Sequence, residues 1–329
     1  MNPPDRRTFL GLAAGMCALP ALPGAAWAQI AVDNLLVYVG IAPGGVSDTA
    51  ARTVAARPNA YARNIIVENR TGAGGQLAVT ALRGKPADGR TCMVTPASVL
   101  TIYPHTYRNL PYDPFRDLVP VALAGRFEFG FGVGPMVPAS VGTLAQFFDW
   151  CRQNPAQASF ASPAAGSIPH FVGILASRHA GVEVVHVPYR GTQPAILDMI
   201  GGQIAAASGP VGGFVEHVRA GKCRLLATSG PQRSRFTPSV PTYAEQGMPE
   251  IQFDEWLGFF MPDGTPRALT EAASASIREA IAHPDAVRAL AGAGVEAASS
   301  TPAELGALLR RDFDRWQPIV RSVGFAASS

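Results

Sequence analysis

Leu35-Leu36-Val37-Tyr38-Val39 runs through Gly40 and Ile41 into Ala42-Pro43-Gly44-Gly45-Val46-Ser47-Asp48, and a small-residue segment follows from Thr49 to Ala56. The apolar run has the length and composition of a buried strand. The Pro-Gly-Gly turn ends it, and Ser47 or Asp48 is placed to cap a helix. The alternation continues outward. Asn64-Ile65-Ile66-Val67-Glu68-Asn69 reads as a second strand, a helix follows Gly72-Ala73-Gly74-Gly75, and Thr91-Cys92-Met93-Val94-Thr95 reads as a third strand. Strand, helix, strand at this spacing predicts a parallel sheet wrapped by helices.

Farther along, residues 119–123 and 129–133 look extended, 143–154 is amphipathic, and Ser159-Phe160-Ala161-Ser162 is a strand leading into Ser167 and a helix through His179. Residues 184–187, 204–207 and 225–228 add strands, and three helical segments punctuated by His283-Pro284 and Thr301-Pro302 fill 270–323. About 300 residues exceed one comfortable core, and no low-complexity linker divides them. The pattern predicts an α/β protein of two lobes, with the chain crossing near 125 and near 228. Residues 29–125 plus 228–329 then form the first lobe and 126–227 the second. Ligands of such folds bind in the cleft, at the carboxyl ends of the strands.

Arg6-Arg7-Thr8-Phe9-Leu10 precedes an apolar, small-residue stretch and a small-x-small site at Ala26-Trp27-Ala28. That is the layout of a twin-arginine signal peptide over residues 1–28, cleaved near Ala28, which places the remaining chain in the periplasm. An ordinary Sec signal with two arginines is the alternative, and Met16 before Cys17 makes a poor lipoprotein site. The 27 Lys+Arg against 24 Asp+Glu leave a net of +3 with no basic cluster, which speaks against nucleic acid as a partner. Cys92, Cys151 and Cys223 allow at most one disulfide, so packing must supply stability.

Several segments could carry chemistry. In the loop from Pro43 to Asp48, glycines leave N–H groups uncovered and the following helix adds its positive end, a combination that grips anions. A capped turn without a ligand is the plain alternative, and the missing Gly-Lys-Ser/Thr ending argues against a nucleoside triphosphate. Gly72-Ala73-Gly74-Gly75 departs from dinucleotide spacing and reads as a close-packed turn. Ser162-Pro163-Ala164-Ala165-Gly166-Ser167-Ile168-Pro169-His170 is the equivalent junction in the second lobe, with Ser167 as N-cap. Ser167 and His170 could approach as nucleophile and base, but no Gly-x-Ser-x-Gly elbow surrounds the serine. The remaining histidines are scattered without metal-ligand spacing, so neither metal nor cofactor is expected. Pro188-Tyr189-Arg190-Gly191-Thr192 follows a strand and either enters the cleft or coats a surface.

Seven motifs in order carry a resemblance. They are Ala42 to Arg52, Val67 to Gly75, Ala87-Asp88-Gly89-Arg90-Thr91, Leu110-Pro111-Tyr112-Asp113-Pro114-Phe115-Arg116-Asp117, His186 to Gly191, Val240-Pro241-Thr242, and Trp256-Leu257-Gly258-Phe259-Phe260-Met261-Pro262-Asp263-Gly264-Thr265-Pro266. Together they resemble the Bug substrate-binding proteins of tripartite tricarboxylate transport systems, over essentially the whole chain after the signal. The resemblance implies a two-lobed periplasmic binding protein of type II-like architecture, each lobe a mostly parallel sheet wrapped by helices. It implies a solute receptor, not an enzyme, that closes over a small organic carboxylate and, as a monomer, delivers it to a membrane permease. A membrane sensor kinase is the alternative partner.

Carried over, the ligand carboxylate is held by main-chain N–H groups and bridging water, mainly from the loop of Pro43, Gly44, Gly45, Val46, Ser47 and Asp48. The opposing lobe contributes Ser162, Gly166, Ser167 and His170, while Ser98 lines the floor and Tyr189, Arg190, Gly191 and Thr192 the rim. Where the family often has acids after Gly201-Gly202-Gln203-Ile204, this chain has Ala205 and Gly209. An uncharged wall there suits an apolar or aromatic acid, or a second carboxylate met by neutral donors, better than an amino acid. Asp48 remains the candidate partner for an ammonium.

Overall fold

In the computed structural model, residues 32–57 and 60–325 are described, and the expected export signal lies outside them. In chain order the elements begin with β1 (Val32–Val39), α1 (Val46–Ala55), β2 (Ala62–Asn69), α2 (Gln76–Arg83), β3 (Thr91–Pro96), two short helices α3 (Ser98–Thr101) and α4 (Tyr103–Thr106), and β4 (Leu118–Val133). There follow α5 (Leu144–Gln153), β5 (Ser159–Ser162), α6 (Ile168–His179), β6 (Val185–Pro188), α7 (Thr192–Ile200), β7 (Ala206–Pro210), α8 (Gly212–Arg219) and β8 (Arg224–Thr228). The last are β9 (Asp254–Pro262), α9 (Arg267–Ala282), α10 (Pro284–Gly292), β10 (Glu296–Ala297) and α11 (Pro302–Val323).

β1 lies between β2 and β3 and is parallel to both. Its apolar run suits that central place, because Val37, Tyr38 and Val39 are buried on both faces of the sheet. β5 lies in the same way between β6 and β7. Strand-helix-strand spacing thus predicts the parallel core of each lobe. What joins the cores is antiparallel. β4 is a single sixteen-residue strand where the sequence suggests two extended pieces. Nothing between them ends it; at Gly125 the register merely slips, where Val295 and Glu296 press against the backbone. Through Glu128 β4 pairs with β9, and from Phe129 onward with β7 and β8. The strand order is β2-β1-β3-β9-β4-β7-β5-β6, with β8 and β10 added on β4.

After β8 the chain folds back on the second lobe. Thr228 N–H donates to the Pro241 carbonyl, Tyr243 N–H to the Thr228 carbonyl, and the Gln246 amide to the Leu226 carbonyl. β9 joins the sheet only at Asp254, which pairs with Glu128 of β4. Local pattern could not show this, because residues 229–253 hold their place through long-range bonds rather than through regular elements.

α11 begins with a capping box, Thr301 with Glu304, and buries Leu305, Leu309, Trp316 and Val320. Its far end meets the second lobe, where the Arg178 guanidinium donates to the carbonyls of Ser322 and Val323 at 3.1 and 2.6 Å. That cation satisfies carbonyls the helix leaves open. Cys92, Cys151 and Cys223 are buried free thiols. Among the described residues no helix is long and apolar enough to cross a membrane.

Candidate functional site

A cavity of ≈ 1010 Å3 lies between the lobes. The residues that follow β1, β3, β5, β6 and β7 open into it, as the rule for α/β folds requires. Of the residues singled out in the sequence, Pro43, Gly44, Gly45, Val46, Ser98, Ser167, Tyr189, Arg190, Gly191 and Thr192 line this cavity. Ser47, Asp48, Ser162, Gly166 and His170 stand outside the lining.

In the first lobe the 43–48 loop is braced from within. Asp48 is buried, and its Oδ2 accepts the Gly44 N–H and the Arg52 Nε–H, each at 2.9 Å. Oδ1 accepts the Asn69 amide at 2.9 Å. Burial alone would raise the Asp48 pKa, but the hydrogen bonds from Arg52, Gly44 and Asn69 outweigh it and hold the carboxyl below its ordinary range. Asp48 is therefore committed to the loop and is no free partner for a ligand ammonium. Gly44 N–H is used by Asp48 and Gly45 N–H by the Ala42 carbonyl. The donors left for an anion are those of Val46, Ser47 and Asp48, the first turn of α1, which has no intrahelical acceptors. Against this loop lies the 72–75 turn, pressed so closely that a Cβ on Gly40 would stand 2.8 Å from Gly75 Cα.

Asp48→Ala should cost about 1–3 kcal/mol by stranding three donors, read from denaturant unfolding. Because the folded pKa is depressed, the carboxylate's stabilisation is present above the ordinary range and is lost as pH falls through the depressed value. The variant's deficit should therefore shrink in acid, and a deficit independent of pH would refute this account.

In the second lobe the expected polar groups serve each other. Ser162 Oγ lies 2.7 Å from His186 Nε2 and donates to the Ala164 carbonyl. Gly166 N–H donates to His170 Nδ1 at 3.0 Å, which leaves the ring proton on Nε2. His170 and His186 stack with centroids 3.6 Å apart. Burial lowers His170 to about 4, and burial followed by the charge of His170 lowers His186 to about 3, so both rings are neutral near pH 7. Ser167 occupies the N-cap of α6 but does not cap with its hydroxyl, which donates to the Ala164 carbonyl at 2.6 Å. With His170 Nδ1 occupied and the serine hydroxyl turned away, no nucleophile–base pair forms between them.

At the rim Tyr189 donates to Asp198 Oδ2 at 2.8 Å, and Gly191 N–H donates to the Pro163 carbonyl. Sequence reasoning missed several lining residues. These are the 72–75 turn, Tyr103, Tyr107, Phe127, Phe129, the α8 start at Gly212 and Gly213, and above all Glu255. Among the described residues, the charged side chains of the lining are Arg190 at the rim and Glu255 at the floor. Glu255 is 4% exposed, with Oε1 accepting the Ser98 N–H at 2.8 Å. The N-terminal ends of α1, α6, α7 and α8 all reach the cavity, so it is ringed by partial positive charge.

Residues 50–325 match the family described as "Tripartite tricarboxylate transporter family receptor". The chain belongs to this family. Protein BugT of Bordetella pertussis is 31% identical to this tripartite tricarboxylate receptor, over 88% of each chain. MatC from Rhodopseudomonas palustris, solved with bound malate, is 27% identical with a TM-score of 0.78, covering 88% of this receptor and 99% of that chain. The R. palustris protein Rpa4515, solved with adipate, is 25% identical with a TM-score of 0.83, covering 89% and 98%. Family and fold are those of solute-binding proteins, and the receptor is a two-lobed α/β protein of that kind.

Proposed function

We propose that this receptor captures a small organic acid, foremost a dicarboxylate, in the periplasm and hands it to a tripartite tricarboxylate-type permease. The observation that carries the reading is the convergence of four helix N-termini on one interlobe cavity. Such ends favour an anion without an arginine clamp. Relatives solved with malate and with adipate support the ligand class. Three or four charge-assisted hydrogen bonds at about 1.5–3 kcal/mol each give a gross sum that brackets the roughly 8 kcal/mol of a micromolar complex, and ordering costs subtract from it. We take residues 32–128 with 254–325 as one lobe and 129–253 as the other, hinged where β4 changes partners and where β9 begins. Ligand touching both lobes then shifts the population toward the closed form. We take the receptor to bind as a monomer, because one transported solute needs only the one cleft that a single chain forms.

A thermal-shift screen of ligand-free protein against malate, adipate, tricarboxylic and aromatic acids tests the reading. An acid at a hundred times its dissociation constant should stabilise by about 2.7 kcal/mol. A screen in which no acid raises the melting temperature would overturn it.

A further inference from the structure

We propose that Glu255 sets ligand preference at the floor of the cleft: as a neutral carboxylic acid it keeps its proton and donates an O–H hydrogen bond to an oxygen of the bound acid, so that capture of the anion is coupled to proton uptake by Glu255. This rests on the receptor reading above and adds to it a named donor and a dependence on pH.

Glu255 reaches the cleft because β9 is inserted antiparallel between β3 and β4, which brings its first residues to the ligand end of the sheet. It shares the cavity lining with Val99, Tyr103, Phe127 and Phe129, stands opposite Phe127 in the strand register, and the Ser98 N–H fixes one carboxyl oxygen. Ser98, expected to touch ligand, thereby also positions Glu255. The charges facing this group are mostly negative or spent. On its own strand Asp254 is paired with Arg126 of β4. Glu128 of β4 stands opposite Asp254, α4 presents the Tyr103 phenol, and Asp312 on α11 accepts the Trp256 indole N–H. Across the cleft the only lining cation among the described residues is Arg190, at the rim of the other lobe.

An ionised carboxylate here would be buried without a counter-charge and would repel an incoming anion. The neutral acid avoids both, and its O–H makes a short, strong hydrogen bond to a carboxylate oxygen. Burial already pushes Glu255 to about 7, against the pull of its bonds to Ser98 and with a small addition from Asp254. A ligand anion beside it raises it further, which is the coupling seen from the other side.

The test uses the full chain labelled with 13C at the glutamate carboxyls, with Glu255→Gln to identify the Glu255 resonance. Between about pH 6.5 and pH 9 that resonance, identified by its absence from Glu255→Gln, should titrate. Over the same range adipate affinity, measured by calorimetry in two buffers of different ionisation enthalpy, should fall with rising pH by up to about tenfold per unit, with proton uptake on binding. Glu255→Gln, which mimics the neutral acid, should bind adipate with the pH dependence and proton uptake gone. A Glu255 resonance already ionised at the start of the range overturns the inference whatever binds. So does an adipate affinity that rises with pH, or one with the same profile in both proteins. Failure of both adipate and malate to bind, with the resonance still titrating near neutrality, overturns the dicarboxylate reading and the coupling while leaving the neutral state of Glu255 established.

Discussion

Gly212→Ala is expected to force the two lobes apart where α8 begins. A Cβ on Gly212 would stand 1.9 Å from the Ala293 carbonyl oxygen and 2.7 Å from the Gly294 nitrogen. These atoms belong to backbone on the other lobe, just after α10 and before β10 pairs with β4, so no side-chain rotation relieves the clash. Overpacking of this sort costs about 1–3 kcal/mol or more. Here one way to relieve it is to open the cleft, which reduces the binding-competent population and weakens apparent affinity by the same fraction. The expected results are a larger radius of gyration by small-angle scattering, a loss in denaturant stability, and at least about tenfold weaker binding of whichever acid stabilises the parent protein. Gly292→Ala is the matched control, since nothing lies within 4 Å of a Cβ there. Parent-like scattering, stability and affinity in Gly212→Ala would show that the contact is not a constraint on closure.

The second large effect concerns stability and pH. The folded pKa of Glu255, pushed by burial to about 7, stands above the ordinary glutamate value of about 4.3. Between these values the folded protein keeps a proton that the unfolded chain has lost. The contribution is fully present below the unfolded value and has been lost once pH rises through the folded one, after which stability is level. The loss amounts to about 3–4 kcal/mol, on the order of a quarter or more of a domain's net stability. Glu255→Gln keeps an oxygen for the Ser98 N–H and has no proton to lose. It should be more stable than the parent at about pH 8 and close to it at about pH 4.5. Denaturant unfolding at the two pH values checks this; a variant less stable at the higher pH would mean that the carboxylate is ionised and compensated in the folded state.

Much of the site was open to reading in one dimension, and its limits are instructive. The β1 strand, the 43–48 loop and the start of α1 are consecutive, and each is specified by local chemistry: an apolar run, a Pro-Gly-Gly turn, a helix whose first N–H groups lack acceptors. The β5 to α6 junction is legible for the same reason. Which side chains of these loops face the cavity is not, because that depends on what lies behind them. Asp48 turns inward to Gly44 and Asn69, and His170 of α6 onto His186 of β6.

Sequence by itself therefore determined the alternation of strands and helices, the two parallel cores, and the loops that present helix ends to an anion, since all of these follow from short-range pattern. Tertiary structure alone decided that β4 is one strand pairing with both β9 and β7, that the chain after β8 bonds back to Thr228, and that Gly212 meets Ala293. It alone placed Glu255 at the floor of the cleft. A strand's direction and neighbours come from pairing with residues far away in the chain, as Phe127 with Glu255 and Pro96 with Leu257, and no local periodicity encodes such a partner.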